Sequence, residues 1–132
     1  TDIDTGMLGD DRFMEGQPYG AAGQFQPVLF SYDSSQVEAS ERSKIEEIAD
    51  AMSRENGLSL VVEGHCDERG SREYNMALGE HRALAVRAYL IGLGIDGDRV
   101  TTKSYGEENP AAYGHDEASW AQNRRADFML MQ

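Results

Sequence analysis

From position 27 onward, apolar positions recur with two alternating periods. Pro27-Val28-Leu29-Phe30 is an apolar run followed by Ser31-Tyr32-Asp33-Ser34-Ser35, which predicts a strand entering a turn and cap region. Between Ser40 and Asn56, Glu41, Ile45, Ile48, Ala49 and Met52 keep helical spacing. Glu46, Glu47, Asp50 and Arg54 fall outside that stripe, so the segment reads as an amphipathic helix that Asn56-Gly57 stops. Leu58 to Glu63 is a short apolar run of the kind that occupies the centre of a sheet. A glycine-bearing turn from Gly64 to Gly70 leads to a second helix over Arg72 to Leu90, ended by Gly92 and Gly94. Arg99 to Tyr105 is β-branched and predicts a strand, and Gly106 to Asp116 a loop carrying Pro110. Asp116 to Asn123 is ambiguous between loop and a helical turn or two, and Ala126 to Met131 alternates as a final strand.

This order predicts an α+β fold: a mixed four-stranded sheet with two main helices packed on one face, βαβαβ in order with a final strand. With 132 residues there is enough chain for a single core. Residues 27–132 form the expected domain. Residues 1–26 are acidic, bear glycines and show no apolar period, so they read as a disordered acidic leader or tether. No signal-peptide pattern opens the chain, so an exported protein would here be in a mature or trimmed form.

Charge and composition narrow the partners. A net charge of −12 argues against nucleic acid or an anionic membrane surface, which need a basic footprint. The apolar runs Leu58 to Val62 and Ala83 to Leu93, the latter broken by Arg87, are too short to span a bilayer. The lone Cys66 makes no internal disulfide and leaves the redox compartment undetermined.

Within the second helix, Asn75, Leu78, Arg82, Val86 and Tyr89 share one stripe, and Leu78, Val86 and Tyr89 mark it as the packed side. Arg82 therefore sits on the wrong face for a charge and needs a partner. Asp67, in the turn after the central strand, is the nearest upstream candidate, with Asp33 near another strand exit. The pair either satisfies itself as a bridge between helix and sheet, or holds a ligand that carries both an ammonium and a carboxylate. Free N–H groups at the start of the helix would add to an anion site.

The other signals are weaker. His65 and Cys66 are adjacent on an extended segment and point to opposite sides, which disfavours a thiol dyad. His65, Cys66, His81 and His115 show no zinc-site spacing, and no metal or cofactor is expected. Trp120, Tyr113 and Tyr105 read as packing residues. Asn123-Arg124-Arg125 stands out in an acidic chain, and residues 64–90 are locally neutral, so an anionic group would have to bind through such local arginines.

The stretch Val62-Glu63-Gly64-His65-Cys66-Asp67-Glu68-Arg69-Gly70 through Asn75, Leu78, Gly79, Arg82 and Ala83 resembles the signature of the OmpA-like peptidoglycan-binding domain. Phe30-Ser31-Tyr32-Asp33, Ser104-Tyr105-Gly106-Glu107-Glu108-Asn109-Pro110, Gly114-His115-Asp116-Glu117-Ala118 and Asn123-Arg124-Arg125-Ala126 look like its peptidoglycan-associated lipoprotein (Pal) branch. The resemblance covers residues 27–132 and implies a binding module rather than an enzyme. By that resemblance Asp67 takes the ammonium of diaminopimelate in the peptidoglycan stem peptide and Arg82 its carboxylate. Asp33 adds a second acidic contact, and Arg69, Asn75 and Leu78 line the site. It also implies the periplasmic face of the outer membrane, an N-terminal lipid anchor upstream of residues 1–26, and Tol-system partners, TolB among them. An OmpA-type porin or a flagellar stator protein is the alternative parent. Three positions depart from the pattern. His81 stands where an arginine often precedes the ligand arginine, Gly79 is expected to weaken its helix by up to ~1 kcal/mol, and Asp127 adds a charge to the last strand.

Overall fold

The computed structural model describes residues 24–132. Residues 1–23, which hold most of the expected leader, lie outside the described residues; Phe25, inside the leader as drawn, packs against the core. The elements follow the predicted order: β1 (Val28–Leu29), a 3-10 turn (Ala39–Glu41), α1 (Arg42–Arg54), β2 (Ser59–His65), α2 (Arg72–Gly92), a second 3-10 turn (Gly97–Arg99), β3 (Val100–Gly106), α3 (Glu117–Asn123) and β4 (Arg125–Met131). The ambiguous segment is thus a short helix. Asp116 caps it, accepting from the Ser119 N–H at 3.0 Å. Ser71 does the same for α2, accepting from the Tyr74 N–H at 3.1 Å.

The four strands form one mixed sheet in the order β1-β4-β2-β3. β2 and β3 run parallel, while β4 lies antiparallel to both β1 and β2. The last strand is therefore inserted beside the central one. Alternation along β2 sends Leu60 and Val62 to the helical side, where Ile45, Ile48 and Met52 of α1 and Ala83, Val86 and Leu90 of α2 meet Ala126 and Leu130 of β4. Full burial of each large aliphatic among these contributes roughly 1.5–3 kcal/mol. Both main helices contribute to this one core, as the pattern of apolar positions predicts.

Two glycines alter the expected picture. β2 continues through Gly64 to His65 instead of turning at Gly64, because Gly64 is the point where α2 touches the sheet backbone to backbone. A Cβ on Gly64 would lie 1.7 Å from the Gly79 carbonyl oxygen, and one on Gly79 would lie 2.3 Å from Ser104 Oγ. The propensity cost of Gly79 is thus offset by the close approach of α2 to the Gly64 backbone. Ser104 Oγ donates to the Met76 carbonyl at 2.7 Å and Thr102 Oγ1 to Glu80 at 2.8 Å, which fixes α2 along β3.

Candidate functional site

The seating of α2 on the sheet delivers Arg82 to the exit of β2. Its side chain is fully buried. Nε donates to the Ser34 carbonyl at 2.8 Å, Nη1 to the His65 carbonyl at 2.9 Å and Nη2 to the Ser31 carbonyl at 3.2 Å. The Phe30 ring lies 5.3 Å from the guanidinium carbon. Burial lowers the Arg82 pKa, with Cys66 and Asp67 opposing, but an arginine stays charged at any physiological pH. Three of its five N–H groups are used, one on each nitrogen; an N–H on Nη1 and another on Nη2 have no acceptor among the described residues.

The expected Asp67–Arg82 bridge is not formed. Three backbone carbonyls take that place, and Asp67 turns instead to Arg69, two residues on. Oδ1 accepts from the Arg69 backbone N–H at 3.0 Å and from Nε at 3.1 Å, and Oδ2 from Nη2 at 2.8 Å. Arg124 Nη1 adds a charge 3.5 Å from Oδ2. Burial by itself would raise the Asp67 pKa, but the Arg69 bonds and the Arg124 charge together hold it below the ordinary carboxylate range. An acidic side chain accepting from the backbone two residues ahead is a local turn habit of Asp. The Arg69 fork then completes a bidentate pair.

Arg69 is also held from both sides. Its guanidinium carbon lies 4.1 Å from the Tyr32 ring centroid and 4.1 Å from that of Trp120. Trp120 Nε1 donates to Glu68 at 2.8 Å, and His115 Nδ1 lies 2.7 Å from the same carboxylate. Trp120 is therefore a clamp on the site, not a packing residue alone. No periodicity in the chain reports this, because its partner lies some fifty positions away on another loop. Arg124 joins the same wall: Nε donates to the Phe30 carbonyl and Nη2 to Glu117, both at 2.9 Å.

The remaining candidates converge here. Asp33 adopts a left-handed backbone with φ of 57°, which aims it over α2, and the Tyr74 hydroxyl donates to its Oδ1. That bond raises the Tyr74 pKa. Asn75 is buried and donates through Nδ2 to the Arg69 carbonyl at 3.0 Å and to Glu107 at 2.6 Å, so it pins the Asp67–Gly70 turn. Asp33, Asp67, Arg69, Asn75, Leu78 and Arg82 all line one small open cleft, with Tyr32, Cys66 and Tyr74.

Cys66 faces this cleft as a thiol. Burial, opposed by the Arg82 charge, pushes its pKa up to about 11, and Sγ donates to the Asn75 carbonyl at 3.2 Å. A group so protonated at neutral pH is a poor nucleophile. Alkylation of the native protein at pH 8 is expected to run on the order of 100-fold slower than of the urea-unfolded chain, from the thiolate fractions alone. Equal rates would show an accessible thiolate.

Residues 29–124 match the OmpA family. The chain belongs to that family. It is 49% identical over 99 residues to the peptidoglycan-associated lipoprotein of Pseudomonas aeruginosa, covering 75% of this chain and 58% of that protein. With the Haemophilus influenzae protein of the same name it shares 42% over 103 residues, 78% of this chain and 67% of that one. The chain thus spans a little under three fifths of the Pseudomonas relative. Among solved structures, the peptidoglycan-associated lipoprotein of Burkholderia pseudomallei superimposes with a TM-score of 0.77 at 42% identity, over 80% of this chain and 89% of that one. The C-terminal domain of Helicobacter pylori MotB reaches a TM-score of 0.74 at 23% identity, over 81% and 84%, a likeness of fold alone. Among the described residues of this OmpA-family chain, no helix is long and apolar enough to cross a membrane.

Proposed function

We propose that this OmpA-family domain is a non-covalent peptidoglycan anchor of the cell envelope that grips the diaminopimelate end of the stem peptide. One observation carries the reading. A fully buried guanidinium with two N–H groups to spare lines the same cleft as the carboxylates of Asp33 and Asp67. That is the complement of a group bearing an ammonium beside a carboxylate. Arg82 takes the carboxylate. Asp33, whose Oδ2 has no hydrogen-bond partner among the described residues, takes the ammonium, and Asp67 shares in it against the competition of Arg69. Arg69, Asn75 and Leu78 shape the walls. The relatives' name, peptidoglycan-associated lipoprotein, supports both the ligand and a lipid anchor. The resemblance to that branch extends the proposal to the periplasmic face of the outer membrane and to the Tol–Pal system, with TolB as the proposed protein partner. The protonated Cys66 supports binding without covalent chemistry.

The test is co-sedimentation with purified sacculi of two chemistries. Lysine-type stem peptides lack the second carboxylate and leave the spare Arg82 N–H groups unpaired, which costs about 1–3 kcal/mol. Binding to diaminopimelate-type sacculi is expected to exceed binding to lysine-type sacculi by about tenfold or more. Asp33→Asn, an exposed change, is expected to weaken the former at unchanged stability. Equal binding to both wall types would remove the proposal.

A further inference from the structure

The face of the sheet turned away from the helices carries a second cluster, outside the cleft. Glu63 and His65 are two residues apart on β2, so their side chains share that face. Asp127 of β4 lies directly opposite Glu63 in the antiparallel register. One donor atom from each of Glu63, His65 and Asp127 falls within 4.8 Å of the others. His65 Nε2 is 3.4 Å from Asp127 Oδ2.

One feature of this cluster has no partner among the described residues, and a second is only partly served, since Arg125 bonds Asp127 and the Tyr105 hydroxyl donates to Glu63 at 3.5 Å. His65 is 1% exposed, stacked on Tyr105 with 5.2 Å between ring centroids, and neither of its ring nitrogens has a hydrogen-bond partner. Such a buried polar group is costly. Glu63 and Asp127 are like charges directly across a sheet, a destabilising arrangement. Burial and the Asp127 charge both raise the Glu63 pKa. A cation between the three side chains would satisfy the imidazole and turn the repulsion into attraction.

The spacing fits a particular ion class. Zinc–nitrogen and zinc–oxygen bonds of roughly 2.0–2.1 Å at tetrahedral angles set ligand atoms about 3.4 Å apart. The His65–Asp127 separation already has that value, and the Glu63 carboxylate lies within 4.8 Å of both. One imidazole with two carboxylates suits zinc and its neighbours rather than calcium or magnesium, which prefer all-oxygen shells. Two cations oppose the site. Arg125 Nε donates to both Asp127 oxygens, at 3.1 and 3.0 Å, and Lys103 Nζ lies 4.8 Å from the Tyr105 ring centroid. A carboxylate offers about four lone-pair positions, so Asp127 is able to hold the guanidinium and a metal together, with Arg125 as an orienting outer partner.

We propose that Glu63, His65 and Asp127 form a divalent transition-metal site of the zinc class on the face of the sheet turned away from α1 and α2. The His65 ring and the two carboxylates supply three ligands, and water completes the shell. The cleft around Arg82 takes no part.

The experiment is calorimetric titration of the full chain with zinc chloride in a non-coordinating buffer, repeated with cobalt(II) to read tetrahedral visible bands. One equivalent is expected to bind, and Asp127→Asn or Glu63→Gln to weaken it at least tenfold. The two variants are alternatives should one fail to fold by circular dichroism. His115→Ala, beside Glu68 at the distant rim, is expected to bind as the wild type does. No heat or cobalt band with the wild type, affinity unchanged in both carboxylate variants, or loss on His115→Ala would each overturn the site.

Discussion

Arg82→Leu is expected to cost the domain about 3–5 kcal/mol of stability, more than any change confined to the rim of the cleft. The leucine leaves the Ser34, His65 and Ser31 carbonyls without their donor, at about 1–3 kcal/mol for each acceptor that stays dry. The Ser31–Ser34 turn is near solvent and recovers part of this through water, whereas the His65 carbonyl sits at a buried strand exit. Arg82→Lys is expected to fall between, because an ammonium is a single point that cannot span three acceptors as a fork does. Urea unfolding reads both as shifts of midpoint at constant slope. A loss below about 1 kcal/mol for Arg82→Leu would mean that the carbonyl cup is not what retains the guanidinium. The same argument governs how binding is tested. An Arg82 variant changes fold and ligand contact together, so Asp33→Asn and the change of wall chemistry are the cleaner probes.

Gly64→Ala is expected to lose about 3 kcal/mol or more, at the upper end of overpacking penalties. The new methyl would meet the Gly79 carbonyl oxygen at 1.7 Å, and backbone, unlike a side chain, cannot rotate away. The strand or the whole of α2 must shift. Gly79→Ala meets Ser104 Oγ at 2.3 Å, the end of a movable side chain, and gains about 1 kcal/mol of helix propensity. It is expected to cost less than Gly64→Ala, and less again in a Ser104→Ala background, allowing for the Met76 bond that Ser104 gives up. Thermal and urea unfolding of the wild type, Gly64→Ala, Gly79→Ala, Ser104→Ala and the Gly79→Ala/Ser104→Ala double variant give the order. Gly79→Ala falling as far as Gly64→Ala would contradict it.

The fold was legible where periodicity is long. The helix stripe of Ile45, Ile48 and Met52, the apolar run from Leu58 and the stripe through Val86 each point to one core, and the relatives share that architecture. The oddity of Arg82 was legible too, since a charge on an apolar stripe is visible without coordinates. Its acceptors were not, because carbonyls belong to every residue and carry no signature. For the same reason the direct bond of Asp67 to Arg69, instead of a bridge to Arg82, is not legible: the turn chemistry that makes it is set by backbone conformation. The Tyr32–Arg69–Trp120 stack and the Glu63–Asp127 pair were hidden for a different reason. Both depend on which loops and strands become neighbours, and the insertion of the last strand beside β2 decides that.

That insertion also sets the timing of folding. Among the described residues β1 finds its only sheet partner in β4, and β2 pairs with β4 along its whole length, so residues 125–131 close both gaps. Until they have been made, β2 is an edge strand with Val62 and Leu60 facing an unfinished core, and β1 has nothing to bond. Pairing that spans nearly the whole domain is slow to form. A nascent chain of this design therefore stays open until its final segment arrives, and a chain stalled short of residue 125 exposes an apolar edge of the kind that aggregates or is bound by chaperones.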